Sequence, residues 1–249
     1  MGRAHARILE RMASRVMQSA DVPPGGRLLI VGDVHGCYDE LVELLARLTP
    51  SSRDVVVSVG DFVRKGPAAA KCLDLWRARG YLAVQGNNEI KLLAHARPIL
   101  RYFAIEDRDV LRRGDLLRYI ESWPLVVDFP QQSVTVVHGG FLPQMQVTEE
   151  EIERERDVIS ELRWIRKKNG GWKAVPKEKK RRDDVLWAEK WKGDRFVVYG
   201  HTPLREPKFD KRALGLDTGC VYGGSLTAAV YDGDEWTMVS VGARRKYAD

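Results

Sequence analysis

The chain has 249 residues, of which 44% are hydrophobic and 31% charged. That composition is ordinary for a soluble globular protein and leaves room for one large α/β domain or two small ones. No run approaches the 18 apolar residues of a membrane helix, so no membrane partner is expected. The formal charge is +6, but segment 166–182, "RKKNGGWKAVPKEKKRR", alone holds nine Lys/Arg against one Glu, which leaves the remainder at −2. The basic excess is therefore one segment: either a solvated loop or a polyanion contact near a site. It gives no reason to expect DNA as a partner.

In chain order, residues 1–26 form an N-terminal extension with a helical pattern. Arg3, Arg7, Arg11 and Arg15 recur every fourth residue, with Ile8, Met12 and Val16 on a neighbouring face. The segment lacks the apolar core of a secretory signal, and Ala6 stands where a myristoylation signal needs Ser or Thr. A surface helix is expected, with an Arg-rich organelle-targeting helix as the alternative. Cys37, Cys72 and Cys220 are far apart and form no CxxC, which suits a reducing cytoplasm.

A single domain is expected over 27–243. "RLLIVG" (27–32), "DVVVSVG" (54–60) and "YLAVQG" (81–86) read as buried strands. Helices follow each, the first amphipathic through Leu41, Leu44, Leu45 and Leu48. Such alternation implies parallel pairing and an α/β fold. Helical insertions are expected near 97–122 and 148–192, the latter with a helix near 184–191. Strands are expected at "LVVDF" and "SVTVVHGG", joined by a turn at Pro130, and at "RFVVYG", "RALGLD", "SLTAAVYD" and "EWTMVSV".

Five segments share one layout, an apolar strand followed at once by Gly and a polar residue: "IVGDVHG", "SVGDFVRKGP", "VQGNNE", "VVHGG" and "VVYGHTP". Strand ends are where α/β folds bind ligands. The polar residues there are Asp33, His35, Asp61, Asn87, His138 and His201, a mixed O/N set that suits Mn²⁺, Fe or Zn²⁺. One ion would be oversupplied, and two ions sharing an Asp fit better. An isolated His after a strand is more often structural, but three of the five histidines fall at such ends. His5 and His95 sit in helical contexts and are expected to be bystanders.

The order GDVHG, GDxVxxGP, GNxE, HGG and GHTP resembles the calcineurin-like metallophosphoesterases, in their phosphoprotein-phosphatase branch. "IVGDVHGCYDEL" and "GLDTGCVYGGSLTA" are most similar to symmetrical diadenosine-tetraphosphate hydrolases and ApaH-like phosphatases. The resemblance spans about residues 27–240. It implies a sandwich of two mixed β-sheets flanked by helices. It also implies two divalent ions, Mn²⁺ first and Fe, Zn or Co as alternatives. Asp33 and His35 would hold one, Asn87, His138 and His201 the other, with Asp61 bridging. A dimetal-bound hydroxide would attack phosphorus in line. Lys65 takes the place of a phosphatase Arg, with Arg163 a second cation for the phosphates and Tyr222 a substrate contact.

Two departures matter. Protein phosphatases read GDxVDRG, whereas this chain has Arg64–Lys65 in place of Asp–Arg. Residue 88, normally a His that protonates the leaving oxygen, is Asn88, a neutral amide that is no acid at pH 7. Loss of a positioned acid costs about 10²–10⁴-fold where the leaving group needs a proton. A seryl alkoxide needs one, but a nucleotide phosphate, with its last ionisation near ~6, does not. The residues therefore favour phosphoanhydride hydrolysis, with diadenosine tetraphosphate cut to two ADP as the expected reaction. Phosphoproteins, polyphosphate and capped RNA are the alternative substrates, and a catalytically impaired nucleotide-binding module is the alternative class. A monomer is the default.

Overall fold

The computed structural model describes residues 16–96 and 107–249. His5 and most of the expected N-terminal helix lie outside them, as does the first part of the expected 97–122 insertion. The remainder of that insertion is helical, at Arg108–Leu111 and Gly114–Glu121. No helix among the described residues is long and apolar enough to cross a membrane.

Two mixed sheets carry the fold. In one, β2 (Leu28–Val31), β3 (Val55–Ser58) and β4 (Leu82–Ala83) run parallel. Next to β2 come the antiparallel β13 (Ser225–Tyr231) and then β14 (Trp236–Gly242). The other sheet has the order β1-β5-β6-β10-β12-β11. Its strands are β1 (Met17–Ser19), β5 (Val126–Phe129), β6 (Val134–Val137), β10 (Phe196–Tyr199), β11 (Lys208–Asp210) and β12 (Ala213–Gly215).

Strand periodicity divides the core. Leu28, Ile30 and Val57 pack in one cluster with Val127, Val136, Val198 and Leu214 of the second sheet. The alternate residues Leu29, Val31 and Val56 pack outward with Leu41, Leu44, Leu73 and Trp76. These last four come from the helices Tyr38–Leu48 and Ala69–Ala78. All four β2 side chains are thus buried, each contributing roughly 1.5–3 kcal/mol, and a one-residue slip would exchange the two faces. This is the predicted sandwich of two mixed sheets flanked by helices. An aromatic cluster lies beneath the β3 turn. Phe62 meets Trp76 at 5.1 Å and Trp123 at 5.4 Å, ring centre to ring centre, edge to face.

Two expectations need correction. Residues 17–19 are not helical: β1 pairs in parallel with β5, Met17 opposite Val126. Val16 and Met17 pack against an apolar cluster of the second sheet, and the Val16 carbonyl accepts from Leu125 and Val126. Burial against an open strand edge outweighs the fourfold Arg spacing. The insertion at 148–192 is helical only at Glu149–Arg154 and Arg156–Glu161. A three-stranded sheet of β7 (Trp164–Lys168), β8 (Gly171–Val175) and β9 (Val185–Leu186) follows, and residues 187–190 are a 3₁₀ turn. The first part of the basic segment, to Val175, is therefore a hairpin, while residues 176–182, with Lys177, Lys179, Lys180, Arg181 and Arg182, are a 3₁₀ turn and loop. The hairpin's turn, Asn169–Gly170, has φ of 50° and 81°, the paired positive values for which Asn-Gly is selected in two-residue hairpins.

Candidate active site

The strand ends of both sheets meet at one place. Asp33 and His35 follow β2, Asp61 follows β3 and Asn87 follows β4; His138 follows β6 and His201 follows β10. Asp33, His35, Asp61 and both of these second-sheet histidines are buried, and Asn87 is half-buried.

Asp61 lies at the centre. Its Oδ2 is 3.4 Å from His35 Nε2 and its Oδ1 is 3.4 Å from His138 Nε2. His138 Nε2 is also 3.2 Å from Asn87 Oδ1, and the His138 and His201 rings are 5.0 Å apart. Asp33, His35 and Asp61 converge closely enough to share an ion. The structure thus brings together all six predicted ligands, with Asp61 reaching both halves.

The backbone aims these groups at a cost. His35, Asp61, Lys65 and His201 have φ of 43°, 53°, 71° and 64°, a region non-glycine residues seldom occupy and which marks stored strain. A Cβ at Gly86 would collide with Asp61 Oδ1, and one at Gly200 with Asp33 Oδ1. These glycines let the carboxylates turn inward.

The loops are held by polar contacts. Fully buried Glu89 accepts from the amides of Asp61 (2.8 Å), Phe62 (2.8 Å), Val63 (3.1 Å) and Gly86 (2.9 Å), tying the β3 and β4 turns together. The two sheets are also laced across the site. The His201 amide donates to both Asp33 oxygens at 3.2 Å, and His138 Nδ1 donates to Val59 O at 2.8 Å. His35 Nδ1 donates to Val63 O at 3.1 Å. A carbonyl partner holds Nδ1–H of each ring; Nε2 of His35 is left to accept, while Nε2 of His138 donates towards the Asn87 and Asp61 oxygens. His201 is held the other way round, donating through Nε2 to Glu161 O at 3.1 Å.

Burial and mutual charge set the ionisation. Burial, with Asp217 nearby, pushes the Asp33 carboxyl well above its usual range. Burial also opposes ionisation of Asp61, but His138, with His35 and His201, holds it well below. Burial would lower His138, yet Asp61 lifts it to about 10. Burial lowers His35, helped by Lys65, and lowers His201 to about 2, helped by His138 and Arg163. Glu89 is pushed up to about 7 by burial and Asp61.

Buried charges are normally paired or coordinate metals. Here carboxylates with glycine-cleared space and imidazoles converge, a donor set that fits divalent ions with mixed O/N ligation. Asp33, His35 and Asp61 would hold one ion, and Asp61, Asn87, His138 and His201 another.

The remaining predicted residues fall around this centre. Lys65 Nζ donates to His35 Nε2 at 3.0 Å and lies 5.2 Å from the centre of the Tyr222 ring. Tyr222 therefore reaches the site through Lys65. Arg163 shares a cavity of about 430 Å³ with Asn87 and His201. Asn88 is buried, donating from Nδ2 to Asp61 Oδ2 at 2.5 Å and from its backbone amide to Oδ1 at 3.1 Å. It orients Asp61 rather than standing as a proton donor.

Sequence reasoning gave Glu89 no role and passed over Asp217. Buried Asp217, just beyond β12, accepts from Gly219 N at 3.0 Å and is near enough to shift Asp33 and His35. Its signal was present: "GLDTG" repeats the layout of Gly and a carboxylate at a strand end.

Comparison with known proteins places this geometry. An asymmetrical bis(5'-nucleosyl)-tetraphosphatase PrpE of Geobacillus thermodenitrificans is 31% identical over 244 residues, covering 85% of this chain and 92% of that protein. A second, from Halalkalibacterium halodurans, is 29% identical and covers 87% and 94%. The relatives thus carry the asymmetrical name, not the symmetrical one that the sequence motifs suggested. A crystal structure assigned provisionally as a diadenosine tetraphosphatase superposes with a TM-score of 0.75 at 31% identity, over 91% of this chain and 98% of that one. Residues 26–234 match the calcineurin-like phosphoesterase model, and the chain belongs to that family.

Proposed function

We propose that this protein hydrolyses dinucleoside polyphosphates, with diadenosine tetraphosphate as the leading substrate and ATP plus AMP as the products. The observation that carries the reading is Asn88. The residue beside Asn87 is not an acid, and its side chain is engaged with Asp61. Such a site suits leaving groups that need no proton, and both AMP and ATP leave as phosphates with a last ionisation near ~6. The names of the relatives favour asymmetrical cleavage over the symmetrical route to two ADP.

Bound divalent ions would supply an activated water at neutral pH and polarise the phosphoryl oxygens. Asp61 would serve both halves of the centre, held by Asn88 and by the Glu89-tied backbone. Asp33 and His35 would complete one side, and Asn87, His138 and His201 the other. Lys65 and Arg163 would bind phosphate oxygens and the charge that grows on them in the transition state. Mn²⁺ is the first expectation for the metal, and the cytoplasm for the location.

The test is a side-by-side assay with Mn²⁺ on diadenosine tetraphosphate, inorganic polyphosphate, capped RNA and a phosphoserine peptide, with products separated by chromatography. ATP and AMP in equal amounts, with the peptide turned over far more slowly, are expected. Two ADP would restore the symmetrical reading. A preference for the peptide would overturn the leaving-group argument, and binding without turnover would favour an impaired binding module.

A further inference from the structure

The cavity beside Asn87 and His201 is walled largely by the insertion rather than by the two main sheets. Trp164 opens β7, and Val175 closes β8 directly opposite it, with Pro176 next in the chain. These three line the cavity together with Arg163. A volume of about 430 Å³ lies within the ~300–1,000 Å³ usual for small-molecule sites. Its lining combines an indole, a valine and a proline with the polar Asn87, His201 and Arg163, and with charged side chains of both signs such as Glu161 and Lys177.

We propose that this cavity is the nucleoside subsite of the protein, in which a purine base stacks against Trp164 while its first phosphate reaches Arg163 and the Asn87–His201 edge of the centre. The inference rests on the proposed dinucleotide reaction and deepens it. Planar bases stack on aromatic faces, and apolar walls combined with polar groups suit a nucleotide. Lys180 Nζ lies 5.4 Å from the centre of a Trp164 ring and the Arg163 guanidinium 5.9 Å. Of these two cations Arg163 lines the cavity beside Trp164 and is the one placed to meet a phosphate there. The charged segment and the site motifs, separate in the sequence, meet at this indole.

The insertion is stiff enough to hold such a face. Arg166 grips Asp184 by two hydrogen bonds of 2.6 Å, and the Arg181 amide adds a third of 2.6 Å. This ties β7 to the end of the basic segment and keeps Trp164 opposite Val175 and Leu186.

The experiment uses the full chain loaded with Mn²⁺ and three variants. Trp164→Ala removes the face, Trp164→Phe keeps a smaller one, and Ala174→Trp fills the cavity from the exposed side of β8. AMP, which has no anhydride to cleave, is titrated calorimetrically. KM for diadenosine tetraphosphate and the inhibition constant of inorganic tripolyphosphate are measured in parallel. Trp164→Ala and Ala174→Trp are expected to weaken AMP binding and raise the dinucleotide KM by on the order of tenfold, as loss of one base–aromatic stack implies. Trp164→Phe should recover most of the loss, and the tripolyphosphate constant should move less than twofold in all three.

Unchanged AMP binding in both Trp164→Ala and Ala174→Trp would overturn the assignment. So would a tripolyphosphate constant that weakens as much as AMP binding, since the cavity would then be a phosphate site. Failure of the unaltered protein to bind AMP would overturn it as well. Failure to cleave the dinucleotide while AMP still binds through Trp164 would instead count against the proposed reaction alone.

Discussion

The two sides of the centre are built differently. On the five-stranded side, Asp33, His35 and Asp61 stand on short turns with positive φ at two of the three positions. There Glu89 collects four backbone amides of the β3 and β4 turns. On the six-stranded side, His138 and His201 are each anchored by one backbone carbonyl, only His201 has positive φ, and the space beyond them is walled by the helical and three-stranded parts of the insertion. The first side fixes atoms through main-chain geometry, which few substitutions could preserve. The second is shaped by side chains on an attached module. Changes on the first side should therefore strike turnover, and changes in the module should strike substrate affinity.

The sharpest way to break this contrast is Asp61→Asn, which alters the one residue reaching both sides. Activity should fall by at least roughly 10²–10³-fold, the loss associated with a single preorganised electrostatic group. The same variant carries a pH signature in metal-free protein. His138 is lifted to about 10 by Asp61, above its ordinary 6.5. The stability from this pair is thus fully present below about 6.5 and lost as pH rises through about 10. Melting temperature of the chelated protein should fall across that window, and Asp61→Asn should flatten the fall. A variant with the same slope as the parent would show that Asp61 does not govern His138.

A middle-sized effect is expected at Asn88. Asn88→His should raise hydrolysis of an alkyl or seryl phosphate by up to ~10²-fold, the lower end for a positioned acid, and that of the dinucleotide only modestly. The ratio of the two gains decides. Metal content must be measured with it, because Asn88 also orients Asp61. Equal gains would mean that proton supply does not separate the two substrates.

The smallest effect concerns the module. Asp184 is lowered to about 2, first by its hydrogen bonds with Arg166. A depressed carboxyl contributes stability above its ordinary 3.8 that is lost as pH falls through about 2. Asp184→Asn should mimic that loss at neutral pH, raising the dinucleotide KM a few-fold, leaving kcat in place and exposing residues 176–182 to limited proteolysis. A fall in kcat with unchanged KM would erase the distinction between the two sides.

What the sequence revealed follows the same division. The six candidate ligand positions could be singled out because each is a polar residue next to glycine at the end of an apolar strand, and such turns are local. Asn88 could be read as a departure, but its bond to Asp61, 27 residues away, could not. Glu89 was visible as a letter of a motif, while its four amide partners depend on how two turns pack. The hairpin at Asn169–Gly170 had a local signal that the density of Lys and Arg obscured. β1 had no local signal, because what makes it a strand is the edge of β5, more than 100 residues further on.

The aromatic cluster beneath the β3 turn has an optical consequence. Phe62 directly follows Asp61 and is wedged edge-on between the buried indoles of Trp76 and Trp123. Tyr81 stands against the first indole at 5.0 Å and Tyr119 against the second at 5.2 Å. Chromophores held this close in a fixed chiral arrangement give near-ultraviolet circular dichroism, which vanishes when side-chain packing loosens even if helices and strands persist. The residue next to the Asp61 carboxylate is thus wired into a built-in spectroscopic reporter. A turn that has slipped can be told from one that is intact but empty, with neither substrate nor label added.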